Sequence, residues 1–119
     1  MPKEFSRTQR VGEVIQRQLA EIIRREMTRR DVGMITISTV SLSPDLKSAR
    51  IYITLLGGQL TPKETVNYLN ESANQLRHHL SQRLTTRTTP RLQFVYDSSI
   101  EYGNHLTTLI NLANKPKDE

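Results

Sequence analysis

Apolar positions along this chain recur with two different periods, and the switches between them mark out the elements. Over residues 6–27 the apolar residues are Val11, Val14, Ile15, Leu19, Ile22, Ile23 and Met27, spaced by three or four and by one, the mark of a helix with a single buried stripe. Residues 34–42 alternate instead, with a fault: Ile35 and Ile37 share one face of a strand, whereas Val40 and Leu42 have the other parity. One extra residue near Ser38 or Thr39 restores a single buried face, so the pattern predicts a β-bulge there. Ser43-Pro44-Asp45 is turn chemistry, with proline presetting φ and aspartate bonding local backbone. Residues 49–56 then alternate Ile51, Ile53 and Leu55 against Arg50, Tyr52 and Thr54, which makes them the second arm of an antiparallel hairpin.

Gly57-Gly58 breaks that strand, and Thr61-Pro62-Lys63-Glu64 reads as a capping box with proline at the first helical position. Val66, Leu69, Ala73, Leu76, Leu80 and Leu84 hold one face of a long helix over residues 61–84. A basic connector, Thr-Arg-Thr-Thr-Pro at 86–90, leads from this helix to a buried strand at 92–97. Ser98-Ser99-Ile100-Glu101 is a second capping box, and Ile100, Leu106, Leu109, Ile110 and Ala113 predict a short terminal helix that Gly103 weakens by about 1 kcal/mol. Residues 115–119 are expected to form a disordered tail after a single domain spanning 1–114. A strand, a helix and a further strand usually form a crossover with parallel strands, so the sheet should be mixed and covered on one face by helices, an α+β two-layer domain.

The 119 residues fit one domain. A net charge of +5 favours polyanionic partners without identifying one. No stretch approaches a membrane span and the N-terminus lacks an apolar signal core, so a soluble cytoplasmic protein that uses no membrane is expected. The absence of cysteine excludes disulfides, thiolate zinc sites and cysteine nucleophiles. His78 and His79 are neighbours about 100° apart on a helix and so do not form a chelating pair at i, i+4. Asp97 lies where a carboxylate caps a helix start, and no partner at recognisable spacing makes it a general acid or base. Neither a catalytic residue, a metal site nor a cofactor is expected.

Several short strings occur in a specific order: Lys3-Glu4-Phe5 followed by Arg7 and Gln9-Arg10-Val11; Gly33-Met34-Ile35-Thr36; Ser43-Pro44-Asp45-Leu46 followed by Ala49 and Tyr52; Pro90-Arg91-Leu92-Gln93-Phe94; and Tyr96-Asp97-Ser98-Ser99. Together they resemble the ribosome-binding factor A family of bacterial cytoplasmic assembly factors, and the resemblance covers nearly the whole chain. It implies a type II KH-like fold in which a helix-kink-helix centred on Ala-x-Gly replaces the Gly-x-x-Gly loop. The matching positions are Ser72, Ala73 and Asn74, with serine for the alanine and asparagine for the glycine; asparagine is one of the few other residues that visits left-handed geometry. The periodicity alone runs straight through 72–74. The resemblance further implies a monomeric, non-enzymatic factor that binds the immature 30S small ribosomal subunit, assists late 16S rRNA maturation and 5′-end processing, and is released by a ribosome-associated GTPase.

For RNA contact the candidates are Lys3, Arg7 and Arg10 at the N-terminus, Arg77, His78, Arg83, Arg87 and Arg91 around the kink and connector, and Lys47 and Arg50 in the hairpin. Arg10, Arg17 and Arg24 recur every seven residues as a basic ridge; the bland alternative is that Glu13, Arg17, Glu21 and Arg25 lace this face with weak ion pairs. Arg77, at the border of the apolar stripe, has the alternative of packing its stem on the core and pairing with a carboxylate. Tyr96 shares parity with Leu92 and Phe94 and is assigned to packing. Two other functions are open to the sequence: a generic KH-like single-stranded RNA binder, and a protein-binding adaptor whose basic faces are merely solvated.

Overall fold

A computed structural model describes the backbone of residues 2–85 and 88–99 and, within these, the side chains from Arg7 onward. Helix α1 (Pro2–Glu26) starts earlier than its apolar stripe and buries Ile15, Leu19, Ile22 and Ile23. Strands β1 (Met34–Leu42) and β2 (Ser48–Leu56) pair antiparallel. Their register runs from Met34↔Leu56 to Ile37↔Ile53 and resumes at Thr39↔Tyr52, leaving Ser38 as the extra residue of the expected bulge. In the intervening turn Asp45 Oδ1 accepts from Ser43 Oγ at 2.7 Å and from the Lys47 amide at 3.0 Å. These bonds hold Leu46 at φ 61°, a left-handed conformation that costs a branched residue roughly 1–2 kcal/mol.

The loop after β2 abuts the loop before β1. A Cβ on Gly33 would stand 2.2 Å from the Gly57 carbonyl oxygen, and a Cβ on Gly58 (φ 82°) would stand as close to the Gly33 amide nitrogen. Asp31 carbonyl oxygen accepts from the Gln59 and Leu60 amides across the same contact.

Helix α2 (Pro62–Glu71) opens with the full capping box: Thr61 Oγ1 accepts from the Glu64 amide at 3.1 Å and Glu64 Oε1 accepts from the Thr61 amide at 2.9 Å. The break that the resemblance implies at 72–74 is present, although the apolar period alone runs straight through it: Ser72 separates α2 from α3 (Ala73–Ser81). Ser72 sits at φ −97°, ψ 6°, in the sparsely allowed bridge region. Its amide donates to both Tyr68 and Leu69 carbonyls. Asn74 is not left-handed, so the break rests on the serine. Leu69, Leu76 and Leu80 stay fully buried across it, which is why the apolar period passes through unbroken. Helix α3 ends three residues before Leu84, with turn bonds from Arg83 and Leu84 amides to the Leu80 carbonyl.

Strand β3 (Arg91–Tyr96) runs parallel to β2, with Ser48↔Arg91 to Ile53↔Tyr96 in register, so the sheet is mixed in the order β1-β2-β3. Ile37, Ala49, Ile51, Ile53, Leu92 and Phe94 pack with the buried helix residues in one core, as expected of an α+β two-layer domain. Tyr96 is half-buried. The second capping box, the terminal helix from Ile100, the domain limit at 114 and the tail lie outside the described residues.

Candidate nucleic-acid interface

Helix α1 and strand β1 run in opposite directions. Gln16 Nε2 donates to the Ile37 carbonyl at 2.9 Å, and four residues earlier a Cβ on Gly12 would lie 3.5 Å from the Val40 carbonyl and 4.0 Å from the Leu42 side chain. The N-terminal turns of α1 therefore reach the end of the sheet occupied by the β1–β2 turn. Strand β3 enters at that same end, where the Arg91 amide donates to the Lys47 carbonyl at 2.9 Å. Arg7 and Arg10, Lys47, Arg50 and Arg91 are thereby gathered at one end of the domain, all of them exposed. Arg50 and Arg91 line a cleft of about 510 Å³ together with Ser41, Ser48 and Gln93. Asp45 lies in the turn beside them, and its carboxylate is already engaged by the Ser43 hydroxyl and the Lys47 amide, which hold it below the usual carboxylate range.

The remaining candidates divide by what holds them. Among the described residues Arg77 pairs with no carboxylate; its Nε and Nη2 both donate to the Thr89 carbonyl, at 3.0 and 2.8 Å, fastening α3 to the connector. With His78, Asn74 and Ser81 it lines a shallow groove. His78 sits edge-on to His79, with its Nε2 3.3 Å from the side-chain Nε2 of Gln82. Arg83 turns inward: its Nη1 donates to Glu21 Oε1 at 2.6 Å and Gln18 Oε1 at 3.2 Å, tying the end of α3 to α1. That hydrogen bond, followed by the charge of Arg83, holds the Glu21 carboxyl below its ordinary range. Lys3 is on α1 with its side chain outside the described residues, and Arg87 lies outside them.

On the α1 ridge the charges interact without close i, i+4 contacts, and the charges of Arg25 and Arg24 help to hold the Glu21 carboxyl down. Among the described residues Glu13 and Arg17 make no ion pair and neither do Glu21 and Arg25; Glu21 faces Arg83, and Glu26 Oε1 faces His79 Nε2 at 3.6 Å. Arg17 and Arg24 are exposed.

Two polar side chains without any sequence signal close the sheet's margins. Asn70 on α2 donates through Nδ2 to the Phe94 carbonyl at 3.1 Å and accepts through Oδ1 from the Phe94 amide at 2.8 Å, so one carboxamide replaces a neighbouring strand along β3. Gln16 does half of this at Ile37. Their partners are 24 and 21 residues distant, beyond any local pattern. Among the described residues no group of three or more His, Asp or Glu could hold a metal ion, and no helix is long and apolar enough to cross a membrane.

The ribosome-binding factor A family model matches residues 7–110. Ribosome-binding factor A of Nitrosococcus oceani is 48% identical over 113 residues, covering 95% of this chain and 89% of that protein. Among solved structures, the crystal structure of ribosome-binding factor A from Thermus thermophilus superposes with a TM-score of 0.67 at 22% identity, covering 75% of this chain and 94% of that one. A homology model of the Thermus thermophilus factor, as fitted into the cryo-EM map of a complex of the 30S subunit with ribosome-binding factor A, gives 0.63 at 23% identity, covering 73% and 91%. The match across most of its length, together with the helix-strand-strand-helix-helix-strand order, makes this chain a member of the ribosome-binding factor A family.

Proposed function

We propose that the chain binds the immature 30S small ribosomal subunit and assists late 16S rRNA maturation and 5′-end processing by binding alone, and that its basic end is the surface that meets the rRNA. The observation that carries this reading is the convergence of Arg7, Arg10, Lys47, Arg50 and Arg91 from three separate stretches of sequence onto one end of the fold. Phosphates attract such a surface through counterion release, and the guanidinium fork fits phosphate oxygens. The fit of the Thermus thermophilus factor's homology model into the map of a complex between the 30S subunit and ribosome-binding factor A supports the choice of partner. On this reading the protein acts in the cytoplasm as a monomer, and a ribosome-associated GTPase triggers its release.

A generic single-strand binder is less well supported. Reading a single strand in the KH manner relies on glycines that let a nucleic-acid backbone approach, and here the kink is a serine with ordinary negative φ. The strand edge beside it is already taken at Phe94 by Asn70.

The test is a salt series on binding to precursor 16S rRNA, with the triple variant Lys47→Gln/Arg50→Gln/Arg91→Gln beside the parent. If each cation neutralises one phosphate, the slope of log affinity against log salt falls by roughly two to three. An unchanged slope removes this end of the molecule from the interface.

A further inference from the structure

Among the described residues, the outer edge of β1 is protected over half its length and bare over the other half. At Ile37 the Gln16 carboxamide takes the outward carbonyl, and immediately afterwards the bulge at Ser38 interrupts the ladder; both are devices that blunt a strand edge. Since Ile37 points its carbonyl away from β2, alternation along an antiparallel ladder turns the amide and carbonyl of Ile35 outward as well. Beside residues 33–37 runs a groove of about 730 Å³ between β1 and α1, with Ala20, Ile23, Met27 and Ile35 as its apolar floor. Met34, at its mouth, is 64% exposed. Arg17 and Arg24 stand on the α1 side, seven residues and therefore about 10 Å apart along the helix. Neither guanidinium is within ion-pair distance of a carboxylate among the described residues, and Arg24 acts on Glu21 only through its charge from farther off.

We propose that this groove is a docking site for an acidic, extended segment of another protein, which adds to β1 as a short strand. Five strand residues span about 17 Å, which suits a segment of five or six. Main-chain bonds at Ile35 supply registration, apolar side chains cover Ala20 and Met27, and carboxylates meet Arg17 and Arg24, the usual division of labour in strand addition. Glu13, at the Gln16 end of the groove, disfavours an acid there and sets the direction in which the charges align. The site is separate from the basic end, so both can be occupied together.

The experiment uses the full chain, isotopically labelled, and an octapeptide of alternating valine and glutamate, with the lysine-for-glutamate counterpart and a short RNA as comparisons. The glutamate peptide is expected to shift the amides of Gly33, Ile35, Ala20 and Met27 saturably, and to bind about tenfold more weakly to Arg17→Glu/Arg24→Glu, the scale of two exposed ion pairs. Unperturbed amides elsewhere in the variant show that it is folded. The proposal is overturned if neither peptide moves these amides, if the lysine peptide binds as well as the glutamate one, or if RNA moves the same set, which makes the groove part of the nucleic-acid surface.

Discussion

Ser38 Oγ donates to Asp97 Oδ2 over 2.5 Å, and the bond passes across β2 to join the two outer strands of the sheet. Ser38 is the residue the bulge adds to β1, and Asp97 directly follows β3, with its amide held by the Ile53 carbonyl. The irregularity in one strand thus supplies the hydroxyl that fixes the exit of another. The Ser38 hydroxyl, then the hydroxyl and amide of Ser99, hold the Asp97 carboxyl below its ordinary range.

A depressed carboxyl contributes stability that is present above its unfolded value, about 3.9 for aspartate, and is lost as pH falls through the folded value. Melting temperatures measured from pH 7 down to 2 should therefore show the parent above Asp97→Asn at neutral pH and the two converging below about pH 4. Ser38→Ala should lose part of the same advantage.

Asn70 and Asn74 lie four residues apart on either side of the helix break and should respond oppositely. Asn70→Ala leaves the Phe94 amide and carbonyl without their partner and should cost about 1–3 kcal/mol. Asn74→Ala removes an exposed residue from a helix and should be neutral or slightly stabilising, within about 0.5 kcal/mol. Urea unfolding of both variants checks the contrast.

Two glycines make a second pair of opposites. A Cβ at Gly33 collides with backbone at 2.2 Å, and Gly33→Ala should destabilise by about 3 kcal/mol as the two loops are forced apart. At Gly12, inside α1, the same Cβ meets atoms at ordinary contact distance, so Gly12→Ala should stabilise by about 0.5–1 kcal/mol. The same unfolding measurement decides both.

Arg83 and Arg91 have similar standing in the sequence, as cations near the connector, and different standing in the structure. Arg83→Gln breaks the link to Glu21 and should lower the melting temperature by a few degrees at most while leaving RNA affinity nearly intact. Arg91→Gln should do the reverse, and reduce the salt slope of RNA binding by about one. Paired thermal and binding assays separate the two.

What the sequence made legible follows from the period of each element. A single inserted residue reverses parity along a strand, so the Ser38 bulge was visible in the positions of Ile37 and Val40 alone. The break at Ser72 was not, because Leu69, Leu76 and Leu80 remain buried on one continuing stripe, and only the family resemblance pointed to it. Asparagine at 74 can adopt left-handed geometry, yet the chain breaks at Ser72 without positive φ. Arg83 and Glu21 are 62 residues apart, so charge pattern along either helix carried no trace of their bond. Charge identified the cations of the basic end, but their convergence depends on α1 opposing β1 and on β3 starting beside Lys47.

The most direct test of the central claim is co-sedimentation of the purified protein with precursor and mature small subunits at moderate salt, beside the Lys47→Gln/Arg50→Gln/Arg91→Gln variant. The account predicts that the parent pellets preferentially with precursor subunits and that the variant, still folded, stays mostly in the supernatant. Equal pelleting of parent and variant, or equal recovery on precursor and mature subunits, would contradict it.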